Sequence, residues 1–235
     1  MRSQRMRSGS INKNPALVKR WLDNEKKASK QYYNENPDSL IPQFEKELRD
    51  LGFKFDTSSQ TFAFIPKHKK EILPIALKYY QRSKNLSKSN EQNHFMRFFN
   101  IKGLDEVVPM LLEDFYSEKT EDLTRWFISN SLFEIQSKRY IKEYLDIVSS
   151  KRFGINRQMI VLLLGKLKEE SAVPVLIGLL DDEDVQLQAI CALSKFEREE
   201  FRGYFNKFQN SPHPGIRKYA KMAINKLDNI ASNCS

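Results

Sequence analysis

The chain has 235 residues, 29% of them charged and 40% hydrophobic, with a formal net charge of +9. That balance belongs to a globular chain rather than a disordered or collagen-like one, and it suffices for one extended domain or two small ones. No apolar run approaches the roughly 20 residues that span a bilayer, and the basic start "MRSQRMRSGS" has no apolar core behind it, so neither a membrane-spanning helix nor a secretory signal is expected.

The charge is unevenly placed. Residues 1–90 hold 19 Lys+Arg against 9 Asp+Glu, whereas residues 91–235 hold 20 against 21. The basic excess of +10 therefore belongs to the N-terminal part alone, which calls for a partner or a structural reason. Cys191 lies in an apolar helical pattern and Cys234 in the terminal tail, so neither a disulfide nor a metal site is indicated. A reducing, cytoplasmic setting is the default expectation.

Residues 1–10 read as a tail outside the fold, and residues 11–90 as a basic helical cap with an atypical first repeat. "PALVKRWLDNEKKASKQYY" predicts a helix with apolar Leu17, Trp21 and Leu22. "PDSLIPQFEKELRDLGF" predicts a second, with Leu40, Phe44, Leu48 and Leu51 on one face and Gly52 as its stop. In "FKFDTSSQTFAFIP" phenylalanines alternate around a polar turn, either as a short β-hairpin or as an irregular loop whose rings cap the open end of a core. "PKHKK" then sets Lys67, Lys69 and Lys70 at a helix start, where each cation opposes the helix dipole by about 0.3–1 kcal/mol. Such placement suits either a partner that wants positive charge or a solvated basic turn. "SKNLSKSNEQN", residues 83–93, reads as a mobile polar connector.

From about residue 67 onward, two helix types alternate. The first type gives the apolar columns Ile128, Leu132, Ile135; Ile160, Leu164, Leu167; Ala189, Leu193, Phe196; and Ala220, Ile224, Leu227. The i, i+4, i+7 spacing in each row is one face of an α-helix, and the repeat of about 30 residues fits a helical pair. The second type aligns on Pro74, Pro109, Lys142, Pro174 and Arg202, with apolar residues one before, three after and six after. A proline inside a helix costs about 3 kcal/mol but is harmless in the first turn, so each proline predicts a helix start, with Ser171 as an N-cap ahead of Pro174. One such pair cannot bury its apolar face alone, and stacked copies make a continuous core in which each buried Leu or Ile contributes roughly 1.5–3 kcal/mol.

These residues resemble HEAT repeats of the short bacterial, PBS-lyase type, most strongly over 122–230, where "LLDDEDVQLQAICALSKF" carries an acidic turn followed by small and apolar helix positions. The resemblance implies an all-α fold: a right-handed α-solenoid of about five helical pairs, the first of them atypical and within the N-terminal cap at 11–90 and the rest a repeat solenoid at 91–230, with a short tail at 231–235. It also implies that the second helices line a concave face. It leaves the function open, because one fold serves many partners.

Candidate chemistry is sparse. His68, His94 and His213 fall on different repeats without cysteines or paired carboxylates at ligand spacing, so no metal or other cofactor is expected. Cys191 sits among packing residues, and such thiols are inert. No Gly-rich phosphate loop or nucleophile elbow occurs. Arg125, Arg157 and Arg217 share one column with Gln186; they form either an anion-gripping ladder or pairs with turn carboxylates such as Asp181, Asp182 or Asp184.

The column facing the implied concave side runs Lys78 and Arg82, Glu113, Lys142 and Asp146, Gly178 and Asp182, then Arg202 and Asn206. A phosphate-tracking groove needs an unbroken basic stripe, and here the signs alternate. The reading is a non-catalytic scaffold for a protein partner carrying acidic groups. Its contact residues are Lys67, Lys69, Lys70, Lys78, Tyr79, Arg82, Lys142, Tyr144 and Arg202, with Tyr80 and Tyr204 as further aromatic anchors. The alternative is a nucleic-acid-binding protein like the HEAT-repeat DNA glycosylases, with weak non-specific nucleic-acid affinity as its minimal form. A bilin-lyase-like enzyme ranks last.

Overall fold

The computed structural model describes residues 15–233, and all their regular structure is helical, without a strand. They group into two compact units, one ending at Phe98 and the other starting at Phe99.

The first unit holds α1 (Pro15–Glu35), α2 (Ile41–Asp50), α3 (Ile65–Asn85) and α4 (Ser89–Met96), with a 3-10 turn at Ser58–Phe64. α3 packs against both α2 and α4. Phe44 of α2 is wholly buried, with its ring centroid 5.6 Å from Tyr79, 5.3 Å from Phe95 and 4.9 Å from Phe98. α1 joins through Tyr33, whose hydroxyl donates to Glu45 at 2.9 Å, while Leu17 and Trp21 remain exposed. α2 stops as expected: Gly52 takes φ +92°, its N–H reaches Arg49 O, and the Phe53 N–H reaches Leu48 O. That is a left-handed glycine cap that a Cβ would strain. Leu51, expected on the core face, lies past the last helical turn and is 55% exposed.

Three local expectations change here. Residues 58–64 form a 3-10 turn rather than a hairpin, because Gln60 folds back to accept the N–H groups of Asp56 and Thr57 at 2.6 and 3.3 Å. The Thr-x-x-Gln spacing is that of a capping box, which favours a helical turn. Residues 83–93 are not a mobile connector: α3 runs to Asn85 and α4 starts at Ser89. The polar residues there do internal work, since the buried Glu91 carboxylate accepts the Leu40 N–H at 3.0 and 3.1 Å and satisfies the start of α2. Pro74 lies inside α3 rather than at its start. "IP" at 65–66 offers an earlier N-terminus, and the break needed for an early start falls at His68 (φ −125°, ψ 34°).

The second unit holds α5 (Val108–Tyr116), α6 (Asp122–Ile135), α7 (Ile141–Ser149), α8 (Gln158–Leu167), α9 (Val173–Gly178), α10 (Gln186–Leu193), α11 (Arg202–Phe208) and α12 (Pro214–Asn233). α6, α8, α10 and α12 pack consecutively, and α5, α7, α9 and α11 each pack on the next helix of that row. Ile128, Leu132, Ile135, Ile160, Leu164, Ala189, Leu193 and Ala220 are fully buried, as their columns require. Pro109 and Pro174 sit in the first turns of α5 and α9. Gln136, Lys168 and Glu197 all take positive φ (57°, 49° and 60°) one residue after Ile135, Leu167 and Phe196, so three rows end in the same backbone turn. Ser171 is not an N-cap: Ala172 precedes α9 without a side-chain cap, and Glu169 caps the 3-10 turn before it, its carboxylate accepting from the Ser171 N–H and Oγ.

Candidate partner-binding surface

The exposed side of α3 is set by helical spacing. Lys67, Lys70, Glu71, Pro74, Lys78, Gln81 and Arg82 are all exposed, while Ile72, Leu73, Ile75, Ala76, Tyr79 and Tyr80 turn inward. Lys67 and Lys70 make no ion pair with a described carboxylate. Lys78 is held by both oxygens of Glu47 at 2.7 and 2.5 Å. Lys69 is half-buried. The Lys78 Nζ and the Arg82 guanidinium lie 4.9 and 5.2 Å from the Tyr79 ring centroid, so that ring serves as a cation seat beneath the surface.

The expected aromatic anchors are corrected. Tyr79 is buried between Phe44 and Phe95, Tyr80 and Tyr144 are fully buried, and only Tyr204 keeps partial exposure. Tyr144 occupies the register of Leu111 and Leu176, two residues after the aligned Pro or Lys, and all three are buried, whereas Tyr204 at the same register of the Arg202 row stays half-buried. Its hydroxyl has no hydrogen-bond partner among the described residues, and burial raises its pKa. Lys142 is exposed on α7. Arg202 is engaged: its guanidinium pairs with Glu199 and, at 2.7 Å, with Asp228. The structure thus gathers Lys67, Lys70, Lys78 and Arg82 on one helix face, and places Lys142 and Arg202 within the second unit.

The arginine column is not an anion ladder. Arg125 donates to Phe115 O (3.1 Å) and Ser117 O (2.8 Å), Arg157 to Val148 O (3.1 Å), Gln186 to Leu180 O (2.6 Å) and Arg217 to Ser211 O (2.6 Å). Each reaches back to carbonyls at or just beyond the C-terminal end of the preceding helix, where intrahelical donors run out. Arg125 also pairs with Asp122 at 3.1 Å, and Arg157, which is fully buried, bonds both oxygens of Asp182 at 2.9 and 3.2 Å, with Asp184 at 3.4 Å. Those bonds hold the Asp182 carboxyl below the usual carboxylate range.

Among the described residues, no group of three His, Cys, Asp or Glu is placed to hold a metal ion, and no helix is long and apolar enough to cross a membrane. His94 is packed among Phe62, Phe95 and Phe98, and burial pushes its pKa down to about 4. His213 is a turn residue whose Nδ1 accepts the Ile216 N–H at 3.3 Å. The Cys191 thiol is pushed up to about 11 by burial; Cys234 lies outside the described residues, as does the tail at 1–10.

Sequence reasoning passed over a concavity in the first unit. A hollow of about 760 Å³ is lined by Arg49, Lys54, Asp56 and the rings of Phe53, Phe55 and Phe64, and a second of about 600 Å³ by Leu51, Phe53, Phe64, His68 and Glu71. The alternating phenylalanines of 53–64 were its signal. Compared with family models, curated proteins and solved structures, the chain matches none.

Proposed function

We propose that this chain is a non-catalytic, cytoplasmic scaffold, a HEAT-like right-handed α-solenoid with an atypical N-terminal cap, and that it binds a protein partner carrying acidic groups. The observation that carries the reading is the exposed face of α3, where Lys67 and Lys70 stand without a described carboxylate partner on a unit whose sequence holds the whole basic excess. Unpaired surface cations cost little stability but raise the rate at which an acidic partner is captured. The alternation of two helix rows in the second unit, with the same left-handed turn closing three rows, supports the solenoid part. Mixed signs at Glu113, Lys142, Asp146 and Arg202 suit a protein surface better than a phosphate backbone.

The test compares a labelled acidic peptide with duplex DNA for binding to the wild type and to a Lys67→Glu/Lys70→Glu variant. The peptide should bind, the variant should lose about tenfold in affinity with an unchanged melting temperature, and DNA binding should fade steeply between about 50 and 200 mM salt. Sub-micromolar DNA affinity at physiological salt, or release of a modified base from damaged duplex, overturns the reading in favour of a nucleic-acid role.

A further inference from the structure

The two hollows of the first unit share Gly52, Phe53, Lys54 and Phe64 in their linings, so they adjoin along the chain that leaves α2 and together make up a trough-like stretch of surface. Its floor is the Phe53–Phe64 ring pair, with centroids 5.2 Å apart. Leu51 stands exposed at the lip, and a Cβ on Gly52 would meet nothing within 4 Å, which leaves the middle of the trough open. Lys54 borders both hollows without a described ion-pair partner, and the trough ends at His68 and Glu71, in the same stretch of α3 as Lys67 and Lys70.

We propose that this trough docks a short acidic segment of a partner protein, with one apolar side chain seated against Phe53 and Phe64 and flanking carboxylates facing Lys54, Lys67 and Lys70. This rests on the acidic-partner reading above and names where the partner's anchor goes. Each hollow, at about 760 and about 600 Å³, is of a size to take a side chain with its neighbouring backbone. Charge complementarity selects the sign of the partner: three cations without described partners outnumber Glu71, while Asp56 is already occupied by Lys26 at 3.3 Å.

Ring geometry argues against a nucleic-acid strand here. Base stacking needs a free ring face. Arg49 covers the Phe55 face at 4.3 Å, Phe64 covers Phe53, and His68 meets Phe53 edge-on at 5.0 Å.

The experiment measures fluorescence anisotropy with three labelled probes: a short Asp/Glu peptide containing one Phe, the same peptide with Ser in place of Phe, and a single-stranded oligonucleotide. Proteins are the wild type, Lys54→Glu, Leu51→Asp and Lys67→Glu/Lys70→Glu, all changed at exposed positions. The Phe peptide should bind about tenfold tighter than the Ser peptide, and Lys54→Glu and Leu51→Asp should each remove most of that advantage with melting unchanged. Equal binding of the two peptides, insensitive to Leu51→Asp but weakened in the double lysine variant, overturns the trough and leaves the acidic-partner reading standing. Absence of binding by both peptides overturns both. Tighter binding of the oligonucleotide than of either peptide replaces the proposal with a nucleic-acid site.

Discussion

Gly165 of α8 faces Ala192 of α10 so closely that a Cβ on the glycine would stand 2.4 Å from the Ala192 Cα and 2.8 Å from its carbonyl oxygen. The obstacle is backbone, so no side-chain rotation relieves it. Gly165→Ala should therefore destabilise the protein by about 1–3 kcal/mol, although the same change in an open helix stabilises by close to 1 kcal/mol. Gly178→Ala is the control, since nothing lies within 4 Å of a Cβ there. Urea titration should move the two variants in opposite directions or leave Gly178→Ala unchanged; equal midpoints for Gly165→Ala and wild type would refute the close approach.

The pair of buried Arg157 with half-buried Asp182 gives the second unit an acid limit. Hydrogen bonds from Arg157 lower the folded pKa of Asp182 below the ordinary carboxylate value. Its stabilisation is therefore present above the unfolded-state pKa of about 3.9 and is lost as pH falls through the lower folded value. Asp182→Asn should cost about 1–3 kcal/mol at neutral pH by taking the main carboxylate from Arg157, which keeps Asp184, and the cost should shrink toward pH 3. A cost that stays constant down to pH 3 would show that the carboxylate charge is not what matters.

His94 sets a different window. Its folded pKa of about 4, lowered by burial and by Arg97, lies below the roughly 6.5 of an unfolded chain. Between those values the unfolded chain holds a proton that the folded chain does not, so stability falls as pH drops from about 6.5 to about 4. The total is on the order of 3 kcal/mol. His94→Phe, which keeps a ring among Phe62, Phe95 and Phe98, should flatten this part of the profile. Equilibrium melts at pH 7 and pH 4.5 decide it, and an equal drop in both proteins would count against the histidine.

Cys191 should label slowly in the native protein. With its pKa pushed up to about 11, the thiolate fraction near pH 8 falls on the order of a hundredfold below that of an ordinary cysteine. Mass-resolved labelling with a thiol reagent, with and without denaturant, should show the Cys191 peptide modified rapidly only when unfolded. Fast native labelling at that site would instead mark it as reactive.

What the chain determined on its own is what short-range chemistry decides. A 3.6-residue period suffices to place Ile128, Leu132, Ile160, Leu164 and Leu193 in a core, since one helix face must be buried wherever the helix goes. Pro109, Pro174 and Gly52 act through their own backbone and mark the boundaries expected of them, whereas Pro74 does not, because Ile65–Pro66 starts α3 upstream of it. Tertiary structure decided the rest because those residues take their roles from partners far along the chain. Glu91 caps α2 across 51 residues, which turned an apparent loop into α4. Tyr144 suits a surface anchor by type, because a tyrosine tolerates both settings; in the structure it takes the same buried register as Leu111 and Leu176. Arg157 carries the same charge as the exposed Lys70, and only the approach of Val148 O and Asp182 made it internal. The hollow at 49–64 is likewise a property of assembly: Phe53, Phe55 and Phe64 line it while Phe62 turns away onto Phe98 and His94, because a capping box and not a hairpin shapes the segment between them.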